Sequence, residues 1–240
     1  MSKCLEVNDL EWSFRGNCVL KGITFSVEEG EILGCIGRNG SGKSALISIL
    51  STLIPPTRGE VRVCGLDAVK EPVEVRKRIG AIFERFSVPG DMTPFGYLYY
   101  YGELSDLAEP VILEREEALM KTFDISEQKH RKLSSLSEEA IRKVEICRAL
   151  ISYPKVLLLD EPTRGLDLVE KKRVWAFLRG VAVDEDVAIF LTSHDLHEIS
   201  ELCNRVAVIS DGKLSYCGTL DGIAMDEDDL EESLTSLMVG

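Results

Sequence analysis

The chain has 240 residues, 45% hydrophobic and 29% charged, enough for one substantial core at the upper end of single-domain size. Intrinsic disorder, a collagen-like repeat and a stapled mini-scaffold are thereby excluded. Lys and Arg number 28 against 41 Asp and Glu, a net charge of −13, and the chain without the six acids between Asp226 and Glu232 still carries −7. This acidity disfavours non-specific nucleic-acid binding or attraction to anionic lipid, so no nucleic-acid partner is expected.

Val7, Trp12 and Phe14, then Ile23, Phe25 and Val27, alternate with polar residues on either side of Arg15-Gly16-Asn17, predicting two antiparallel strands. The nearly unbroken apolar run from Glu31 to Ile36 predicts a strand covered on both faces. A glycine-rich turn follows, then Leu46, Ile49, Leu50 and Leu53 at helical spacing, a helix expected to be ended by Pro55-Pro56. From about residue 86 to 150 the pattern turns helical, an expected helical subdomain inserted into an α/β frame. Two more buried-strand runs, Val156–Leu159 and Val187–Leu191, flank a helix around Val174, Phe177 and Leu178, which implies a parallel sheet. Val206–Ile209 and Lys213–Tyr216 around Asp211-Gly212 predict a closing hairpin, and Leu230, Leu234, Leu237 and Met238 predict an acidic amphipathic helix at about 226–239. The whole chain, 1–240, is expected to be one domain.

Seven cysteines (Cys4, Cys18, Cys35, Cys64, Cys147, Cys203, Cys217) without a C-x-x-C pair point to a reduced, intracellular setting. The first six residues have no signal layout, and no apolar run approaches the ~20 residues that span a bilayer. Any membrane role is expected to come through a separate chain.

Gly37-Arg38-Asn39-Gly40-Ser41-Gly42-Lys43-Ser44 fits G-x-x-x-x-G-K-[ST] between a predicted strand and a predicted helix, the context that gives this motif its meaning. Its glycines let successive backbone N–H groups and the helix N-terminus point at phosphates. Lys43 is expected to reach the β- and γ-phosphates of a nucleotide and Ser44 to ligate Mg²⁺. Asp160 and Glu161 close the Val156 run at the carboxyl edge of the sheet, where open α/β folds collect ligands. Alone, such a pair also describes a solvated strand end. With the phosphate loop upstream, Asp160 is expected to hold Mg²⁺ through water, and Glu161 to orient or deprotonate the attacking water.

Together these segments resemble the nucleotide-binding subunit of the ATP-binding-cassette (ABC) transporters along almost the whole chain. The resemblance implies a P-loop NTPase fold: a parallel core sheet, an N-terminal antiparallel β-subdomain and the inserted helical subdomain. It implies an aromatic stacked on adenine, for which Phe14 fits the spacing better than Trp12. Asp160-Glu161-Pro162-Thr163 and Gly165-Leu166-Asp167 look like the second phosphate motif and the loop that contacts another subunit. Leu191-Thr192-Ser193-His194-Asp195 looks like the switch segment, with His194 reaching the γ-phosphate. His194 and His197 could also form a metal pair on one helix face, but no third ligand is suggested at helical spacing.

Two departures from the family pattern matter. Leu136-Ser137-Glu138-Glu139-Ala140 stands where the family has Leu-Ser-Gly-Gly-Gln, the segment that binds the γ-phosphate held by the opposite subunit. Ser137 remains, but one carboxylate about 5 Å from that phosphate costs roughly 3 kcal/mol at an effective dielectric near 20. The same acids suit a helix start, with Ser135-x-x-Glu138 reading as a capping box. The second departure is Glu84 in place of the family's glutamine; its carboxylate can still offer an oxygen to Mg²⁺ but cannot donate a hydrogen bond. Residues 86–93 beyond it are where a membrane partner is expected to dock.

The resemblance implies an Mg-dependent ATPase subunit that energises a separate transmembrane permease, of exporter type, from the cytoplasmic face of the membrane. The partner in the dimer is a second copy or another ABC ATPase, with low activity or asymmetry expected from Glu138 and Glu139. A nucleotide-gated clamp without a permease and a regulatory ATP-binding subunit are the competing readings.

Overall fold

The computed structural model describes residues 2–84 and 88–220. Phe86 and the helix expected at about 226–239 lie outside the described residues.

β1 (Lys3–Phe14) and β2 (Asn17–Glu28) pair antiparallel, with Val7 opposite Phe25 and Trp12 opposite Leu20. β4 (Arg58–Val63) and β5 (Leu66–Asp67) extend this sheet in the order β2-β1-β4-β5. The second sheet takes β3 (Ile32–Ile36), β6 (Ile79–Ile82), β7 (Val156–Asp160), β8 (Ala188–Thr192), β9 (Arg205–Ser210) and β10 (Lys213–Thr219). Its order is β10-β9-β3-β8-β7-β6, parallel except for the β9–β10 hairpin at one edge. Helices α1 (Lys43–Leu50), α2 (Pro72–Arg76), α6 (Leu168–Glu185) and α7 (Leu196–Leu202) connect the strands, and α3 (Pro94–Leu104), α4 (Glu109–Thr122) and α5 (Glu138–Leu150) lie between β6 and β7 in the chain.

The unbroken apolar runs have the reason the sequence suggests. Leu33, Cys35, Val156, Leu158, Phe190 and Ile209 face α1 and the antiparallel sheet, and Phe190 stacks on Phe25 with ring centroids 5.2 Å apart. Ile32, Ile36, Leu157, Leu159, Ile189, Leu191 and Val208 face the other way, into a core shared with α3 to α7. Alternate residues of each strand thus serve two cores, which leaves no polar face.

A polar cluster at β6 ties the helical block to the sheet. At Gly80 in β6 a Cβ would stand 1.9 Å from the Ala149 carbonyl oxygen, so only glycine lets α5 lie this close. The neighbouring Arg148 donates to the Ala81 carbonyl and, at 3.1 and 2.9 Å, to Glu145, whose other oxygen accepts from the Tyr97 hydroxyl at 2.8 Å. Glu145 is buried, and Arg148→Met removes the guanidinium that pairs with its carboxylate. We expect a loss of about 3–5 kcal/mol, read as a lower denaturant midpoint at unchanged slope.

Two local expectations are corrected. The helix after the phosphate loop ends at Leu50, before the prolines: Thr52 turns left-handed (φ 61°), its N–H bonds to the Ile49 carbonyl, and the Leu53 N–H bonds to that of Ser48. This is a Schellman closure, and it leaves Leu53 outside the helix and 61% exposed. The cap of α5 is Ser137 rather than Ser135: Ser137 is extended and its Oγ accepts from the Ala140 N–H at 3.2 Å, while Ser135 Oγ donates to the Lys132 carbonyl.

Candidate active site

The carboxyl ends of the parallel strands bring the chemistry-bearing residues to one edge. β3 runs into the loop 37–42 and α1 starts at Lys43, with Gly42 in the N-cap position at φ 109° and no side-chain cap or first-turn acid. A Cβ at Gly42 would meet Leu20 Cδ2 at 2.6 Å, so this position needs glycine for both conformation and space. The uncapped N–H groups are free to meet an anion. Lys43 Nζ donates to the Gly37 and Arg38 carbonyls at 2.5 and 3.2 Å. Ser41 Oγ is buried without a hydrogen-bond partner among the described residues. An orphaned hydroxyl and a lysine resting on its own loop's carbonyls fit a loop built around phosphate oxygens.

Asp160 ends β7 in register with Thr192 of β8, and the Thr192 hydroxyl donates to its buried carboxylate. Glu161 follows with a left-handed backbone (φ 53°), a sparsely populated conformation for this residue, held by its N–H to the Thr192 carbonyl at 3.1 Å. Its carboxylate is buried and lies 2.7 Å from His194 Nδ1. Burial raises the Glu161 pKa above the usual carboxylate range, and the His194 hydrogen bond pulls it only part of the way back. His194 itself remains 65% exposed.

Between these walls lies a cleft of about 670 Å³, lined by Asn39, Gly40, Gly42, Lys43 and Ser44 together with Glu84, Asp160, Glu161, Arg164 and His194. Gly37, Arg38 and Ser41 are not part of the lining, and the carbonyls of the first two hold Lys43. Phe14 is not part of the lining: it is 53% exposed, stacked on Trp12 at 5.8 Å with Arg15 over its ring, and Val19 and Ala45 supply the apolar lining. Ser137 is exposed and outside the cleft.

Sequence reading missed two members of this site. Thr192 as the partner of Asp160 depends on strand register, which no linear pattern carries. Arg164, which pairs with Glu84 across the cleft, had a visible signal as the lone base inside Asp-Glu-Pro-Thr-Arg-Gly-Leu-Asp.

Residues 20–164 match the family model described as ABC transporter. The chain belongs to the ABC transporter family. Among its relatives, the ABC transporter ATP-binding protein NatA of Bacillus subtilis (strain 168) is 34% identical over 209 residues, spanning 87% of this chain and 85% of NatA. Methionine import ATP-binding protein MetN 1 of Bacillus thuringiensis subsp. konkukian (strain 97-27) is 34% identical over 202 residues, but the chain spans only 60% of that protein's length. A solved ATP-binding subunit of an ABC transporter superposes with a TM-score of 0.89 at 26% identity, covering 97% of this chain and 99% of the other. The chain is thus an ABC ATP-binding subunit with the P-loop NTPase fold, and among the described residues no helix is long and apolar enough to cross a membrane.

The donors at the cleft also fit Mg²⁺. Ser44, Asp160 and Glu84 offer hard oxygen ligands and too few of them for a closed cage, the set suited to a cation that keeps water and substrate phosphates in its shell.

Proposed function

We propose that this subunit binds Mg·ATP in the cleft over Lys43, hydrolyses it, and uses the cycle to drive a separate membrane permease. The observation that carries the reading is the meeting of Lys43, Asp160 and the Glu161–His194 pair at one cleft mouth. Lys43 leaves the Gly37 and Arg38 carbonyls for the β- and γ-phosphates. Ser44 and Asp160, with Glu84 beside them, would hold Mg²⁺, which would supply charge neutralisation on the phosphates. Glu161 takes a proton from the attacking water, and His194 holds Glu161 in place and supports the γ-phosphate. The loop 37–42 carries the phosphate binding, and Phe14, exposed outside the cleft lining, remains the aromatic assigned to adenine.

A base must be ionised to work, so a raised Glu161 pKa sets the acid limb of hydrolysis above the ordinary glutamate range, with rate rising as pH climbs through it. Removing the hydrogen bond in His194→Ala should move that limb higher still. A kcat–pH profile of both proteins checks the direction; a limb moving down would contradict it.

The subunit acts as a dimer around nucleotide, with Ser137 offered to the nucleotide held by its partner. Glu138 and Glu139 make that offered face poor, which supports pairing with a second ATPase whose segment retains its glycines. Permease docking is supported by an apolar groove of about 470 Å³ between β6, α3 and α5, bordered by the exposed Leu53, Val73 and Leu104. It opens beside Phe83, next to the Glu84 end of β6. We assign export, from the inner membrane face, on the arrangement of residues 160–167.

Purification of a tagged copy from solubilised membranes in Mg·ATP, followed by mass spectrometry, tests the reading. A polytopic membrane protein is the expected companion, and its transport assay in sealed vesicles reads the direction. Recovery of ribosomal or repair proteins alone would favour the clamp instead.

A further inference from the structure

The turn 161–167 is pinned on both sides of one exposed side chain, that of Arg164. The Arg164 N–H bonds to the Glu161 carbonyl at 3.2 Å and the Leu166 N–H to that of Thr163 at 3.1 Å. Thr163 Oγ1 donates to the buried Glu198 at 2.7 Å, and Trp175 Nε1 donates to the same carboxylate oxygen at 2.8 Å. Asp167 caps α6 through the Glu170 N–H at 2.9 Å. Backbone position at Arg164 is thereby fixed while its side chain stays more than half exposed and faces the cleft. Its partner is Glu84, which comes from the far end of β6 and also lines the cleft.

The charges around this pair matter more than the pair itself. Three carboxylates, Glu84, Asp160 and Glu161, face the cleft against two permanent cations, Lys43 and Arg164. Lys43 rests on loop carbonyls, whereas Arg164 is paired with a carboxylate, Glu84. An ion pair this exposed adds little stability, so it opens at small cost. A guanidinium fork prefers a terminal phosphate, with its several oxygens and higher charge, over one partly screened carboxylate.

We propose that Arg164 reads the γ-phosphate and that Glu84 competes with that phosphate for its guanidinium, so the Glu84–Arg164 pair is a latch that ATP opens and ADP leaves closed. The inference rests on the nucleotide-binding reading and names the residue by which this site prefers triphosphate over diphosphate. Because Glu84 follows β6 and Arg164 lies within the turn 161–167, opening the latch also removes a link between these two segments.

The test is equilibrium binding of a non-hydrolysable fluorescent ATP analogue and of fluorescent ADP, both with Mg²⁺, to the unmodified chain and to variants. Arg164→Ala should weaken the ATP analogue about tenfold, the loss of one charged hydrogen-bonding contact, and change ADP by less than about twofold. Arg164→Lys should fall between, keeping charge without the fork. Glu84→Gln should tighten the ATP analogue several-fold, and that gain should vanish when Arg164→Ala is also present. An equal loss for both nucleotides in Arg164→Ala, or a Glu84→Gln effect that persists without Arg164, overturns the latch. An unmodified chain that binds neither nucleotide overturns the nucleotide-binding reading and the latch with it.

Discussion

Glu161→Gln is expected to leave Mg·ATP binding intact and to lower the single-turnover hydrolysis rate by roughly 10²–10⁴, the range a positioned general base contributes. Glutamine keeps the side chain's size and an oxygen for His194 but cannot accept a proton from water. The buried position and the 2.7 Å contact to His194 make the substitution a change of chemistry rather than of packing. Binding by equilibrium titration and hydrolysis by rapid quench separate the two effects. A variant that hydrolyses at an unchanged rate would remove Glu161 from the mechanism.

The second large effect is a gain. Glu138→Gly with Glu139→Gly restores close backbone approach and removes charge facing the phosphate of a partner's nucleotide. The repulsion of roughly 3 kcal/mol from one carboxylate corresponds to about a hundredfold. Steady-state turnover of the variant alone should rise by that order. Stability should fall at the same time, because acids in the first turn of α5 favour its dipole by about 0.3–1 kcal/mol each and Glu139 pairs with Lys143 at 2.8 Å. Lys143 keeps Glu170 at 2.6 Å, so it is not left alone. Turnover that stays low would show that these glutamates do not limit the dimer.

What the sequence made legible was what is local. The loop from Gly37 to Ser44 joins one strand to one helix, so a spacing pattern carries its whole geometry, and the position of Asp160 and Glu161 follows from where an apolar run stops. The same holds for the hairpin at Asp211-Gly212, whose two positive φ angles of 47° and 79° suit the turn the residue types suggest. What escaped depended on distance in the chain or on competition between equivalent residues. Thr192 meets Asp160 through a strand register, and Arg164 meets Glu84 across 80 residues. Ser135 and Ser137 are equally good caps by type, and only the extended backbone at Ser137 decides between them. Leu53 fits the helical period of α1, yet a left-handed Thr52 ends the helix before it, a conformation residue type does not announce.

In the proposed function the subunit's own site works through Lys43, Asp160, Glu161 and His194 while its offered segment, Ser137 to Ala140, is poor. The most direct test is to measure equilibrium binding of Mg·ATP and steady-state hydrolysis on the unmodified protein alone. The same hydrolysis assay is then repeated with an ABC ATPase that retains Leu-Ser-Gly-Gly-Gln and carries a glutamine at its own catalytic glutamate. Tight binding, slow turnover alone and faster turnover with that partner are predicted, since the only working base is then Glu161. Fast turnover by the protein alone, with no further gain from the partner, would contradict the account.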